Sequence, residues 1–166
     1  MNKFRSGGAD KPGVYFDEEN RRHLLSIRET FAQAAISLAD QGKKQDALNL
    51  LAHCEQLLST QDMPYAMVSR FNSHDQVGAL YLQAAYKAGY TDLINKVRSA
   101  LIKDLTDQKN YYNYIKSEKE EFYSAFYNDE QDADQLQRMI EQMDNTYNPK
   151  TIVPESPARK DSPAKK

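Results

Sequence analysis

The sequence predicts an all-α fold of short antiparallel helical hairpins, and three observations carry that prediction. Apolar residues recur at steps of three and four along most of the chain. Gly42 and Gly89 each close one such stripe just before another begins. The length of 166 residues, with 40% hydrophobic and 28% charged residues, suits one soluble domain with a real core.

The chain opens on an extended arm, residues 1–16. Its stretch GGADKPG has neither the GxxxxGK[ST] spacing of a phosphate loop nor the GxGxxG of a dinucleotide fold, so it reads as a structural turn. Asp17, followed by Glu18 and Glu19, can cap a first helix and favour its positive end. From Asn20 to Gln41 the residues Leu24, Ile27, Phe31, Ala34, Ala35 and Leu38 form one stripe. Gly42 stops that helix. Ala47, Leu50, Leu51, Cys54, Leu57 and Leu58 then share a face of a second helix, and so short a turn makes the pair antiparallel.

Gly42 followed five residues later by the small Ala47 matches the centre of a tetratricopeptide unit. In a second hairpin, Ser73 and Gln76 form a capping box, and Val77, Tyr81, Ala84, Ala85 and Ala88 form a stripe up to Gly89. Thr91 caps a fourth helix with Ile94, Val97, Leu101 and Leu105 on one face. The turn glycines, at 42 and 89, are too far apart for the regular repeat of about 34 residues. The excess is the insertion STQDMPYAMVSRFNSHD, where Asp62 and Pro64 suggest a short extra helix. The fourth helix is expected to continue through Tyr111, Ile115, Phe122 and Phe126. A last helix over 132–143 carries Leu136, Met139, Ile140 and Met143. The helical domain thus spans 17–145, and residues 146–166, rich in Pro and Lys, are expected to form a disordered tail.

Several functions find no support. A formal net charge of −2 and a pI near 5.9 give no basic field for nucleic acid. No apolar run approaches the roughly 18 residues of a membrane span, and mean hydropathy is −0.82. Cys54 is the only cysteine, which excludes an internal disulfide and a CxxC motif. It falls on a core stripe, and His53 beside it points to another face, so no nucleophile–base pair forms. His23, His53 and His74 show no ligand spacing, so no metal or other cofactor is expected. The chain by itself reads as no enzyme. The tyrosine-rich run near 111–127 could stack on sugar or single-stranded nucleic acid, but its lysines are balanced by acids and core packing is the stronger reading. Arg21, Arg22, Arg70 and His74, with Tyr65, form the candidate partner-binding set, an exposed Arg/Tyr patch between the first helix and the insertion.

The opening block and hairpins, Gly7, Gly8, Tyr15, Asp17, Glu18 and Arg22, then Gly42, Lys43 and Ala47, then Pro64, Tyr65 and Gly89, also carry a resemblance over about residues 3–115. The chain resembles the C-terminal soluble region of a bacterial domain-of-unknown-function family of multi-pass membrane proteins, whose membrane part is similar to protein O-mannosyltransferases. The resemblance implies that the arm is an internal junction and that any glycosyl transfer belongs to a membrane part outside this sequence. It carries over no catalytic residue. It implies a place beside a membrane, on the periplasmic side, against a cytoplasmic location if the chain stands alone. The expected function is a helical interaction domain that binds a protein partner or the rest of its own membrane protein. The alternative is an accessory glycan- or acceptor-binding domain of a membrane glycosyltransferase.

Overall fold

The computed structural model describes residues 7–11 and 13–148, with the backbone but not the side chain of Arg70. The disordered-tail expectation for 149–166 therefore lies outside the described residues, while its first residues do not: the last helix continues to Tyr147. Six α-helices, with no strand among the described residues, are α1 (Glu18–Asp40), α2 (Lys44–Leu57), α3 (Ser73–Ala88), α4 (Thr91–Glu118), α5 (Glu120–Tyr123) and α6 (Tyr127–Tyr147). A 3₁₀ turn, Arg70–Asn72, precedes α3.

Asp17 caps α1 as its sequence implies, its carboxylate accepting from the Asn20 amide at 2.8 Å. Gly42 and Gly89 both take the left-handed conformation (φ 78° and 75°) that ends a helix without a Cβ penalty. The other caps differ from expectation. Asn72, not Ser73, is the N-cap of α3, and Gln76 donates to the Phe71 carbonyl at 3.0 Å instead of closing a capping box. Tyr90, not Thr91, precedes α4.

The packing is organised around α3, which touches α1, α2, α4 and α6. Its small residues Gly78, Ala79, Ala84, Ala85 and Ala88 let four neighbours approach, so it is buried on more than one face. In α1 the buried line is Leu24, Arg28, Ala32 and Ala35, one residue off the expected stripe, and Ala34 faces solvent. In α4 Leu93, not Ile94, joins Val97, Leu101 and Leu105 in the core. Each such fully buried leucine contributes roughly 1.5–3 kcal/mol.

The fourth helix does not continue to residue 126. It ends at Glu118, and Lys119 leaves helical geometry (φ −145°, ψ 46°). The chain then folds back, so that Phe126 meets the rings of Tyr111 and Tyr112 at 5.6 and 6.3 Å, a contact a straight helix would forgo. Phe122 and Tyr111 remain exposed. α6 lays Ala133, Leu136, Ile140 and Met143 against α3 and α4, while Met139 faces outward. Asp144 pins it, accepting from Arg98 Nε at 2.8 Å and Nη2 at 2.6 Å, and from the Tyr86 hydroxyl at 2.5 Å.

Residues 58–72 form a strap from α2 to α3. Near Asp62 and Pro64 it makes a hydrogen-bonded turn, not the expected helix. The arm buries Ala9 at its start, where the Ala9 carbonyl accepts from the Ser59 amide at 2.6 Å. Further on, the strap backbone crosses α3 at Gly78, where a Cβ would lie 2.5 Å from the Tyr65 carbonyl oxygen and 3.1 Å from Leu101. Backbone cannot yield as a side-chain tip can. Gly78→Ala is therefore expected to lower the unfolding free energy by about 1–3 kcal/mol despite alanine's better helix propensity. A urea melt checks this, and an unchanged midpoint would show that the strap shifts freely.

Candidate functional site

Arg28 is the centre of the strap's attachment. It is 1% exposed, yet it carries a fixed positive charge. Its two terminal nitrogens fork onto the Pro64 carbonyl (2.6 Å) and the Met63 carbonyl (2.5 Å). Its guanidinium lies 5.4 Å from the Tyr65 ring centre and 5.8 Å from that of Tyr81. Both tyrosine hydroxyls donate to the two oxygens of Glu55, that of Tyr81 at 2.9 Å. Burial, then the Glu55 contact, raises the Tyr65 pKa far above the ordinary phenol value, so Tyr65 stays a donor.

From α3, His74 donates through Nε2 to the Pro64 carbonyl at 2.7 Å, which fixes its neutral tautomer. Desolvation lowers its pKa below the ordinary 6.5. The next residue, Asp75, accepts from the Met67 amide at 2.9 Å and from Gln108 Nε2 at 2.8 Å. Gln108 Nε2 also reaches Asp104 at 2.7 Å, and its carbonyl end accepts from the Tyr112 hydroxyl at 3.2 Å. Thus three side chains from two helices hold three strap residues by their backbone.

So held, the strap faces α1 across a cleft of about 700 Å³. Phe16, Leu25, Met67, Val68 and Phe71 supply its apolar lining, with Tyr15 at the mouth. Tyr15, Val68 and Phe71 are 85%, 62% and 66% exposed. Phe71 and Asn72 are both left-handed (φ 58° and 49°), a costly conformation for residues other than glycine.

Arg21, Arg22 and His74 all line this cleft. Two of the expected exposed residues are not exposed. His74 is buried up to the edge it presents there, and Tyr65 is buried behind the wall on Glu55. Both are drawn inward because the strap's carbonyls and Glu55 need donors away from water. Arg70 sits in the 3₁₀ turn, and its side chain lies outside the described residues. Arg22 is engaged by Glu19 at 2.6 Å. The Arg21 side chain makes no hydrogen bond or ion pair among the described residues, and its Nε is shielded from solvent.

Sequence reasoning missed Arg28, Glu55, Asp75 and the aromatic mouth. One signal was present: Arg28 falls four residues after Leu24 and before the small Ala32 and Ala35, a place in the core with room for a long side chain.

Cys54 lies in the core, and burial raises its thiol to about 11, so it stays protonated near neutrality. The His53 ring faces Phe31, with ring centres 6.1 Å apart. Among the described residues no three His, Cys, Asp or Glu side chains converge as a metal site, and no helix is long and apolar enough to cross a membrane. Comparison of the chain with protein-family models, with curated proteins and with solved structures found no match.

Proposed function

We propose that the chain is a non-catalytic helical interaction module, built on tetratricopeptide-like hairpins, that grips a protein partner in the cleft between α1 and the strap. One observation carries the reading: Tyr15, Val68 and Phe71 gather around a single cleft, and the last is held outward by strained backbone. Exposed apolar groups gathered in one place mark interaction surfaces, whereas scattered ones do not. Arg21 and Arg22 add the residue type most favoured at binding hot spots. The resemblance of the opening block extends the proposal: the partner is the rest of a larger membrane protein, and the module is its extramembrane part. A glycan- or acceptor-binding role is the second reading, favoured by the open face of Tyr15.

A photo-crosslinking amino acid in place of Val68 tests this in cells of the source organism. A discrete protein adduct is expected from that position, and none from the same group in place of Lys103, exposed on α4. Adding Phe71→Ala should abolish the adduct. Where the partner is the rest of the same protein the crosslink is internal, and a crosslinked peptide pair from one membrane-fraction protein, read by mass spectrometry, supports the appendage proposal. Equal adducts from both positions would overturn the cleft as the working surface, and a carbohydrate adduct would favour the second reading.

A further inference from the structure

We infer that the occupant of the cleft is a peptide segment with one or two large apolar side chains flanked by Asp or Glu. The inference rests on the cleft being the working surface, and adds the chemistry of what it takes. The apolar lining of Phe16, Leu25, Met67 and Phe71 suits a side chain of leucine or phenylalanine size.

The charges fix the flanks. Around the cleft stand Arg21, Arg22 and Glu18, with Glu19 just outside it. Glu19 already engages Arg22. The Arg21 side chain has no hydrogen-bond or ion-pair partner among the described residues, and its shielded Nε lacks the water that would otherwise satisfy it. His74 does not compete for a carboxylate, because burial keeps it neutral and its Nε2 proton is given to Pro64. Among the described residues one guanidinium is therefore unengaged by an acid, and its planar fork matches a carboxylate. The chain as a whole is acidic, so this local cation is not part of a general basic surface. A peptide also suits the strap. Among the described residues neither the amide nor the carbonyl of Val68 makes a hydrogen bond, and Val68 borders the cleft in non-helical backbone. A neighbouring extended chain could pair with it.

The test is selection of a random dodecapeptide library on the full-length chain. Enriched sequences would be synthesised with a fluorophore and titrated by anisotropy. The expected winners carry Leu, Phe or Tyr beside Asp or Glu. Arg21→Gln should weaken them by about tenfold, and replacing their acids by amides should weaken wild-type binding by a similar factor. The two changes together should cost little more than either alone. Phe71→Ala should weaken acidic and amide peptides alike. Circular dichroism should show both variants folded.

Winners that are basic or uncharged, or acidic winners indifferent to Arg21→Gln, would overturn the inference. If those winners still depended on Phe71, the interaction-module reading would stand. No enrichment that depends on Phe71 would overturn both.

Discussion

Arg28→Ala is expected to lower the unfolding free energy by about 3–5 kcal/mol, a large share of the 5–15 kcal/mol typical of a domain. The loss has three sources. The Met63 carbonyl, beside a residue 1% exposed, loses its charged donor and finds no water in its place. The Pro64 carbonyl keeps only His74. A cavity opens against the rings of Tyr65 and Tyr81, which also lose the cation they face. Two further variants separate these sources. Arg28→Met keeps much of the packing and loses both hydrogen bonds. Arg28→Lys keeps the charge, but a single ammonium cannot fork onto two carbonyls as the planar guanidinium does. The expected order of stability in urea melts is wild type, Lys, Met, Ala. If Met matched wild type, packing alone would hold the strap and the fork would be dispensable. Should the Ala variant fail to fold, the Lys and Met midpoints still decide between charge, hydrogen bonding and volume.

The same residue marks where reading the sequence succeeds and where it fails. Helices α1 to α4 were legible because periodic apolar residues and the two glycine stops report local physics. The expected stripe of α1 lies one position off its buried line because apolar periodicity passes over Arg28. Nothing local shows that two strap carbonyls, 35 and 36 residues away, would draw it inward. The break at Lys119 was invisible for a similar reason. SEKEE contains no glycine or proline, and the reversal is selected by what Phe126 gains far from the turn. Of the candidate patch, Arg21, Arg22 and His74 meet at one cleft, since the first turns of α1 and α3 both face the strap. Tyr65 was placed outside because tyrosine suits a surface as well as a core. Only Glu55, on another helix, decides its side. Phe71 could not be singled out, because its exposure depends on a left-handed backbone that no residue type there announces.

Asp75 carries the largest expected pH effect. It is 0% exposed, and burial raises its carboxyl from the ordinary 3.8 to about 7. The Met67 amide opposes that rise, and the nearby Asp104, which shares the Gln108 amide with Asp75, adds to it. The native pKa lies above the unfolded one, so the native state holds the proton more tightly. The contribution of Asp75 is therefore greatest below about pH 4 and declines as pH rises through 7. Between pH 5 and 8 the decline should be roughly 2–3 kcal/mol. His74 acts with the opposite sign. Its native pKa lies below 6.5, so its contribution is present above that pH and is lost on acidification. The two slopes oppose each other below pH 6.5, and the wild-type decline should be clearest between 6.5 and 8. Asp75→Asn isolates one of them. The amide oxygen can still accept from Met67, but the bond accepted from Gln108 is lost, at about 1 kcal/mol. The variant should be less stable than wild type at pH 5, and the difference should shrink and reverse by pH 8. Urea midpoints across that range read the crossing directly. Parallel curves for the two proteins would place the proton on another group and leave Asp75 as an ordinary ionised acceptor for the strap.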